Sequence, residues 1–426
     1  MLPSHASVVV AGGGPAGYMA AVTAAEAGVR GLLLLEATAE PLHKVLISGG
    51  GRCNVTHACW DARALVAHYP RGGQALRGPF SRFATADTVA WFVAHGLELV
   101  EEPDGRLFPR SNRSASVVAT LQAAAAAAGV QVMTAQALQG VETVAGGGFL
   151  LRLRGGASLG CDHLVLASGS HPSGHRIAAS LGHGLVPPVP SLFTLALADH
   201  PLAELAGVAM DPVGLELLPE PSSAPARKAP RGERPRQRGA VLITHWGLSG
   251  PATLRLTAFA ARLLKERRYR GDLLVDWTGG RSVAEVEAMF AETRRSQARR
   301  QLANARPWPA LSRRLWLHLL AGQGVEAELR WGDLGRGAQQ AMISALRASR
   351  YRISGRGPFG EEFVTAGGIP LGEVNLATME SRLQPGLFLV GELLDVDGVT
   401  GGFNFQHCWS SGWLAGTALA ANILPT

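Results

Sequence analysis

The stretch VVVAGGGPAG (8–17) constrains the fold more than any other part of the chain, because a buried strand runs directly into a GxGxxG turn. Gly12 lets the chain leave the strand in a tight turn. Gly14 leaves room for a pyrophosphate beside the backbone, and Gly17 lets the following helix pack close to the strand. The stretch therefore predicts the start of a dinucleotide-binding βαβ unit.

The segments after this turn have the spacing of such a unit. The helix expected over 15–27 opens with Pro15 and Ala16, and the free N–H groups of its first turn favour a bound phosphate. The run GLLLLE (31–36) predicts a second buried parallel strand that ends in an acid. Glu36 is placed to accept hydrogen bonds from a ribose 2′-hydroxyl and to repel a 2′-phosphate. A glycine-rich turn of purely structural use is the alternative.

A second glycine-rich stretch, HKVLISGGGRCNVTH (43–57), follows the acid. Three consecutive glycines are unfavourable inside a helix or strand, so we expect a loop whose backbone approaches a ligand closely. Ser48, Arg52 and Asn54 supply hydrogen-bond donors around it. The expected target is the pyrophosphate of a large cofactor and the inner edge of a flavin, and an internally bonded loop is the alternative.

A third candidate lies near the end of the chain, in GLFLVGELLDVDGVTGGFNFQHC (386–408). A buried strand ends in Glu392, and a polar loop containing Asp397 leads to a long helix expected over 406–421. The free N–H groups at that helix start can face a flavin carbonyl that gains negative charge on reduction. A helix end contributes about 0.3–2 kcal/mol, which shifts a two-electron potential by tens of millivolts.

The remaining segments suggest four parts of the chain: an FAD-binding domain in two pieces (1–190 and 356–426), a β-rich insertion (191–280) and a helical subdomain (281–355). In the first piece, a strand over 130–138 is expected to present the main chain of Leu138 to an adenine ring. Helices are expected over 85–99 and 117–129, and a buried strand over 163–169.

Composition excludes several classes of protein. The longest apolar runs fall far short of the roughly twenty residues that span a membrane, and four cysteines without a CxxC pair indicate neither disulfides nor a metal site. We expect a cytoplasmic protein. The net charge of +7 invites a nucleic-acid partner. Much of the excess lies in an expected mobile loop (219–239) and a solvated helix face (294–306), so specific nucleic-acid binding is not expected.

Seven motifs in this order resemble the BaiN/YhiN-type flavoproteins, a family that includes aminoacetone-oxidase-like enzymes. They are VVVAGGGPAG, KVLISGGGRCNVTH, LFPRSNRSA, ITHWGLSGP, FVTAGGI, TMES and GLFLVGELLDVDGVTGGFNFQ. The resemblance covers nearly the whole chain. It implies a glutathione-reductase-like α/β fold with a discontinuous FAD-binding Rossmann domain, a β-rich insertion, a small helical segment and non-covalent FAD.

By position, the resemblance implies that the amino-terminal glycines hold the FAD pyrophosphate and Glu36 the adenosine ribose. The cofactor-binding set is Gly12, Gly14, Pro15, Ala16, Gly17, Glu36, Lys44, Ser48, Gly49, Gly50, Gly51, Arg52, Cys53, Asn54, Leu138, Gly391, Glu392, Asp397, Gly401, Gly402 and Asn404. The chain departs from the family pattern at the basic loop 219–239, at His43 before Lys44, and over 403–407.

These observations predict an FAD-dependent oxidoreductase, with NAD(P)H-linked reduction of an unsaturated or carbonyl small molecule as the first hypothesis. An oxygen-dependent small-amine oxidase and a flavin-containing nucleic-acid-associated protein that uses the basic insertion are the alternatives. No catalytic acid or base can be assigned. His407 is a candidate proton carrier or a helix-capping group, and Cys53 with Cys408 raises a thiol–flavin hypothesis without a CxxC pair.

Overall fold

The computed structural model describes residues 2–219, 235–357 and 364–424, and the chain forms two compact units. Unit 1 joins residues 1–189 to residues 364–426, and unit 2 comprises residues 190–363. This confirms the expected discontinuous Rossmann domain with an insertion. Most of the expected basic loop, 220–234, lies outside the described residues.

Twenty strands are found in the described residues. In chain order they are β1 (His5–Ala11), β2 (Leu32–Leu35), β3 (Thr56–His57), β4 (Leu99–Glu101), β5 (Arg106–Pro109), β6 (Gln131–Met133), β7 (Leu138–Thr143), β8 (Phe149–Leu153), β9 (Ser158–Leu166), β10 (Val186–Ser191), β11 (Leu195–Leu197), β12 (Ala209–Leu217), β13 (Arg236–Ile243), β14 (Gly247–Ser249), β15 (Gly271–Asp276), β16 (Ser349–Arg356), β17 (Val364–Gly368), β18 (Val374–Asn375), β19 (Glu380–Ser381) and β20 (Leu387–Leu389).

The same residues contain thirteen α-helices and six short 3₁₀ turns. The helices are α1 (Pro15–Glu26), α2 (His43–Gly51), α3 (Ala62–Leu65), α4 (Arg77–Arg82), α5 (Thr85–Ala94), α6 (Ser114–Ala127), α7 (Pro172–Ser180), α8 (Pro251–Phe259), α9 (Ala261–Glu266), α10 (Val283–Gln297), α11 (Arg313–Gly322), α12 (Arg336–Arg347) and α13 (Phe403–Ile423). The 3₁₀ turns are Val66–His68, Ala203–Leu205, Leu302–Asn304, Trp331–Asp333, Leu371–Glu373 and Gly391–Leu393.

The main sheet of unit 1 has the strand order β18-β19-β20-β9-β1-β2-β6, with β7 and β8 as a hairpin beside β9. Strands β20, β9, β1, β2 and β6 are parallel. Every residue of β2 is buried, as expected for a parallel strand covered on both faces. This arrangement brings the ends of β1, β9 and β20 to one edge of the sheet.

Two glycines on α13 allow this last helix to lie directly against α1. A Cβ at Gly412 would be 2.5 Å from the Ala16 carbonyl oxygen, and a Cβ at Gly416 would be 2.6 Å from that of Ala20. Any larger residue would force the two helices apart, because interiors are close-packed. The carboxyl-terminal segment is therefore an integral part of the nucleotide-binding core.

Two sequence-based interpretations of unit 1 are wrong. Residues 130–138 do not form one strand: β6 ends at Met133, Ala135 adopts a left-handed φ of 56°, and Leu138 begins the separate strand β7. The segment 43–57 is not entirely a loop, because α2 covers its first part. The glycines act as expected, since the helical geometry is interrupted from Ser48 to Gly50.

Unit 2 is built on a closed antiparallel barrel with the strand order β11-β14-β13-β12-β15-β16. Helices α10 to α12 lie between the last two barrel strands in the sequence and share one hydrophobic core with the barrel. The expected boundary near residue 280 therefore falls inside one compact unit. Trp308 also belongs to this core. No helix in the described part of the chain is long and apolar enough to cross a membrane.

Candidate cofactor site

The three glycines after β1 have different surroundings, and each matches the role expected of it. A Cβ at Gly12 would be 2.4 Å from the Ala167 carbonyl oxygen, and one at Gly17 would be 2.0 Å from the Gly12 carbonyl oxygen. These two positions are thus fixed by packing. A Cβ at Gly14 would meet no protein atom within 4 Å. The open space needed by a pyrophosphate lies in front of Gly14, at the start of α1.

Glu36 follows β2 and faces the same turn. Its Oε2 atom accepts a hydrogen bond of 2.9 Å from the Gly13 amide, and its Oε1 atom accepts bonds of 2.7 and 2.8 Å from the amide and hydroxyl of Thr38. A carboxylate has about four acceptor positions, so one remains for a ribose hydroxyl. The Gly13 contact, which sequence reasoning missed, fixes the carboxylate beside the glycine turn.

The backbone of Glu36 pairs with the end of β6 and the turn that follows it, and Leu138 lies elsewhere. The amide of Glu36 donates to Met133, and the amide of Gln136 donates to the Glu36 carbonyl oxygen. Leu138 instead pairs with Leu153 in the β7–β8 hairpin. The turn after β6 therefore lies beside the acid, and the contact of the Leu138 main chain with an adenine ring stays a prediction.

The broken helix α2 presents bare backbone in the region expected to bind the flavin side of the cofactor. Gly50 and Gly51 have left-handed φ values of 68° and 83°, and a Cβ at either would meet no protein atom within 4 Å. The Ser48 hydroxyl donates to the carbonyl oxygen of Val45. Cys53 is buried, and burial raises the pKa of its thiol to about 12, which disfavours a reactive thiolate.

Arg52 is held by neighbouring side chains. Its guanidinium forms an ion pair with Glu102, donates to Asn112 and lies 4.0 Å from the centre of the Phe108 ring. The β4–β5 hairpin therefore fixes this side chain, although Glu102 is shared with Arg106. In the described residues, Arg52 anchors the loop, although the sequence suggested direct contact with the cofactor.

An ion pair connects the second and third glycine-rich stretches. Lys44 Nζ lies 2.6 Å from Glu392 Oε2. Burial alone would lower the pKa of Lys44, but the Glu392 carboxylate outweighs it and the pKa is raised. Gly391, which precedes the acid, packs against Ala16 and donates its amide hydrogen to the Ser411 hydroxyl at 3.0 Å.

The polar loop before α13 satisfies most of its own hydrogen bonds. Asp397 is fully buried and forms a two-point ion pair with Arg71. The Asn404 side chain closes the loop, accepting from the Gly398 amide at 2.8 Å and donating to its carbonyl oxygen at 2.9 Å. The structure thus gives Asp397 and Asn404 roles in shaping the loop.

Gly401 and Gly402 bring this loop against the second glycine-rich stretch. A Cβ at Gly402 would be 2.7 Å from the Thr56 carbonyl carbon and 2.9 Å from Asn54 Oδ1. Asn54 Oδ1 is buried without a hydrogen-bond partner in the described structure, as is Ser168 Oγ in the turn after β9. A buried oxygen without a partner requires an explanation, and a bound ligand or water is one. Ser168 was missed as an individual residue, although its serine–glycine turn was visible in the sequence.

His407 lies inside α13 and is fully buried. Its Nε2 atom is 3.2 Å from the Gly391 carbonyl oxygen, while Nδ1 has no partner in the described structure. Burial lowers the pKa of this imidazole to about 4, and the Gly391 carbonyl opposes the shift only in part. At neutral pH the ring is uncharged and donates to Gly391, so it is poorly suited to carry a second proton.

The residues brought together fit FAD. The open space at Gly14 suits a pyrophosphate and the acid at position 36 suits a ribose. Gly50 and Gly51 leave backbone open, and Asn54 of the same stretch has a buried side-chain oxygen without a partner in the described structure. No cluster of three or more His, Cys, Asp or Glu side chains that could hold a metal occurs in the described residues.

Comparison with known proteins agrees with this geometry. The model of the family described as HI0933-like protein Rossmann domain matches residues 6–418. The chain is 30% identical to a 3-dehydro-bile acid delta(4,6)-reductase of Clostridium scindens, covering 96% of this chain and 98% of the relative. It is also 30% identical to a ribosomal RNA dihydrouridine synthase of Escherichia coli, covering 97% and 98%.

Solved structures show the same fold at lower identity. A 3-ketosteroid-delta4-(5alpha)-dehydrogenase from Rhodococcus jostii aligns with a TM-score of 0.50 and 16% identity, covering 99% of this chain and 98% of that one. A 3-ketosteroid delta1-dehydrogenase from Sterolibacterium denitrificans aligns with a TM-score of 0.52 and 12% identity, covering 99% and 100%. These likenesses support the fold.

Proposed function

The chain belongs to the HI0933-like Rossmann family, and we propose that this FAD-dependent oxidoreductase reduces a carbon–carbon double bond conjugated to a carbonyl group. FAD, when bound, supplies the two electrons as a hydride equivalent. The chain supplies the position of the cofactor and the electrostatic environment of its site.

One observation carries this proposal. Two relatives that align over nearly their whole lengths, each 30% identical to the chain, have different substrates and the same kind of reaction in their names. A bile acid delta(4,6)-reductase saturates double bonds of a steroid skeleton, and dihydrouridine is uridine whose C5–C6 bond has been saturated. In both cases a ring double bond conjugated to a carbonyl group takes up two hydrogens. That common step is what we assign to this chain.

The residues of the site suit this chemistry through position and charge. The start of α13 directs its first free N–H groups toward the loop that contains Gly401 and Gly402. Such a helix end stabilises negative charge that develops on a bound group. The Lys44–Glu392 pair links the second and third glycine-rich stretches, and the Asp397–Arg71 pair fixes the loop before α13. None of these groups is assigned as the proton donor.

The first test is anaerobic. We expect NADH or NADPH to bleach the flavin absorbance of the purified holoenzyme within seconds, and addition of 4-androstene-3,17-dione or another conjugated enone to restore it. If neither nicotinamide bleaches the flavin, the NAD(P)H-linked reductase is refuted. If a small amine bleaches the flavin and oxygen then yields peroxide, the amine oxidase alternative replaces it.

The double bond of uridine in RNA is the second candidate substrate. It is favoured by the Escherichia coli relative, whose identity to this chain equals that of the bile acid reductase. The reduced holoenzyme is mixed anaerobically with ribosomal RNA, and the RNA is digested to nucleosides for mass spectrometry. A gain of two mass units on uridine supports RNA reduction, and reoxidation only by the enone assigns the enzyme to small molecules.

A further inference from the structure

The net positive charge of this protein lies in one of its two units. Unit 2 contains 26 of the 40 Lys and Arg residues and 17 of the 33 Asp and Glu residues, a net charge of +9. Unit 1 has a net charge of −2. The described residues of unit 2 alone carry 22 basic and 13 acidic side chains, again +9. An excess of this size raises the local concentration of polyanions.

Most arginines of unit 2 have structural partners. Arg255, Arg281, Arg306 and Arg347, for example, donate to backbone carbonyl oxygens, and such contacts fix turns and helix ends. These guanidinium groups are committed to the fold. A surface for an external partner must therefore be sought among arginines that the fold does not use.

One cluster of basic residues stands out on the barrel, and we call it the Tyr269 cluster. It is formed by the end of α9 with the following turn, KERRYR, and by the neighbouring strand β16. The register of β15 and β16 places Gly271 opposite Ile353 and Asp272 opposite Arg352, so the two segments are adjacent. Its basic members are Lys265, Arg267, Arg268, Arg270, Arg350, Arg352 and Arg356.

The alternation of side chains along a β-strand shows on which face of β16 the arginines lie. Tyr351 and Ile353 point into the barrel core, so Arg350, Arg352 and Arg356 lie on the outer face. Alternate residues on a strand are roughly 6.6 Å apart. The outer face of β16 therefore presents a row of cations, which suits a chain of phosphates better than a single anion.

Tyr269 holds two of these cations in place. The Arg356 guanidinium lies 4.8 Å from the centre of the Tyr269 ring, and Lys265 Nζ lies 5.8 Å from it. Phe193 packs its ring edge-on against the tyrosine at 5.5 Å. Cations held by an aromatic ring lose less side-chain entropy when they bind a partner. Arg268 and Tyr269 both have left-handed φ values, 52° and 58°, in the turn between α9 and β15.

Three arginines of the cluster are exposed and have no side-chain hydrogen bond or ion pair in the described structure. They are Arg268, Arg270 and Arg352. The acids nearby are Glu266 and Asp272, and Asp272 is paired with Arg350 at 2.7 Å. None of the large exposed hydrophobic side chains of the described residues lies in this cluster. A membrane-binding surface would combine such side chains with the charge.

We propose that the Tyr269 cluster binds the phosphate backbone of RNA. Arginine suits this role because its planar guanidinium bonds phosphate in a bidentate manner. The inference rests on the RNA branch of the proposed function and deepens it by naming the surface that holds the substrate backbone. The cluster lies outside the two arginine-rich segments, 219–239 and 294–306, that the sequence suggested.

The test uses the FAD-loaded enzyme and a fluorescein-labelled single-stranded RNA of about 16 nucleotides, the upper site size of a single-strand-binding module. Anisotropy is measured from about 50 to 200 mM salt. The variant R268Q/R270Q/R352Q removes the three unpaired cations. The matched control R299Q/R300Q/R330Q removes three exposed arginines of unit 2 outside the cluster. The variant R268K/R270K/R352K keeps the charge.

We expect the salt slope of the cluster variant to fall by about 2, since each single-strand phosphate contact contributes about 0.7. Its affinity near physiological salt should drop about tenfold or more, while the control stays within about twofold and the lysine variant keeps most of the slope. Equal losses in the cluster variant and the control overturn the proposal, as does absence of RNA binding by the unaltered enzyme. Selective loss of binding to phosphatidylserine vesicles, with RNA binding retained, also overturns it.

Binding is measured without turnover, so this result is independent of the reductase assay. Reoxidation of the reduced flavin by a small enone should be unchanged in the cluster variant. If the enzyme binds RNA through the cluster and reduces no uridine, the surface stands and the RNA branch of the proposed function fails.

Discussion

Lys44 and Glu392 form an ion pair of 2.6 Å although 348 positions separate them in the sequence. Glu392 is only 12% exposed, whereas Lys44 remains 54% exposed. The pair therefore lies between the surface case, worth up to about 1 kcal/mol, and the buried case, where loss of one partner costs about 3–5 kcal/mol. It connects the two ends of the discontinuous domain.

The partial burial of the Lys44–Glu392 pair predicts the outcome of a double-mutant cycle. K44M and E392Q, measured singly and together by urea denaturation of the holoenzyme, should give a coupling free energy of about 1 kcal/mol. K44M should be the more destabilising single change because it leaves a mostly buried carboxylate without its cation. A coupling free energy of zero would show that the pair adds no net stability to the fold.

The glycines of the first turn provide a second prediction, because the structure separates packing from cofactor binding. G17A places a Cβ 2.0 Å from the Gly12 carbonyl oxygen and should cost at least about 3 kcal/mol of unfolding free energy. G14A meets no protein atom, so the melting temperature of the FAD-free protein should be unchanged while FAD binds about tenfold or more weakly. Equal FAD affinity in G14A and the unaltered protein would place the pyrophosphate elsewhere.

These glycine roles could be predicted from the sequence because they depend on local backbone geometry. A strand, a tight turn and a helix at fixed spacing leave little choice about which glycine faces the ligand. The glycine run at 49–51 was equally informative, since its break in α2 follows from the conformational freedom of glycine.

Contacts between distant segments could not be predicted in the same way. Arg52 looked like a donor to the cofactor, but Glu102 and Phe108 on another hairpin hold its side chain. The strand expected over 130–138 is interrupted because Ala135 adopts a left-handed conformation that turns the chain. Strand β16 closes the barrel, but three helices separate it from β15 in the sequence. A pairing between segments so far apart cannot be recognised from the local sequence pattern.

Glu36 is the subject of a third prediction. E36A should weaken FAD retention about tenfold without changing the absorbance spectrum of the bound fraction, because the ribose is remote from the flavin ring. T38V removes the Thr38 hydroxyl bond to Glu36 Oε1 and leaves the carboxylate in place, so it is the matched control and should retain FAD within about twofold. Unchanged retention in E36A, measured by ultrafiltration, would refute the ribose assignment.

The last prediction concerns pH and follows from His407. Burial lowers the pKa of its imidazole to about 4, below the usual 6.5. The unfolded state therefore binds more protons between these values, and the free energy of unfolding should fall as the pH drops from about 6.5 to about 4. The full contribution is on the order of 3 kcal/mol, from 1.36 kcal/mol for each pKa unit.

Replacing His407 with glutamine removes the titration and should flatten the pH dependence of unfolding between about pH 4 and 6.5. The same change at His245, an exposed histidine, is the control, and the difference between the variants isolates the effect of burial. Denaturant unfolding at several pH values measures it. An equal slope in H407Q and H245Q would mean that His407 is protonated within the fold, which would restore it as a candidate proton carrier beside the flavin loop.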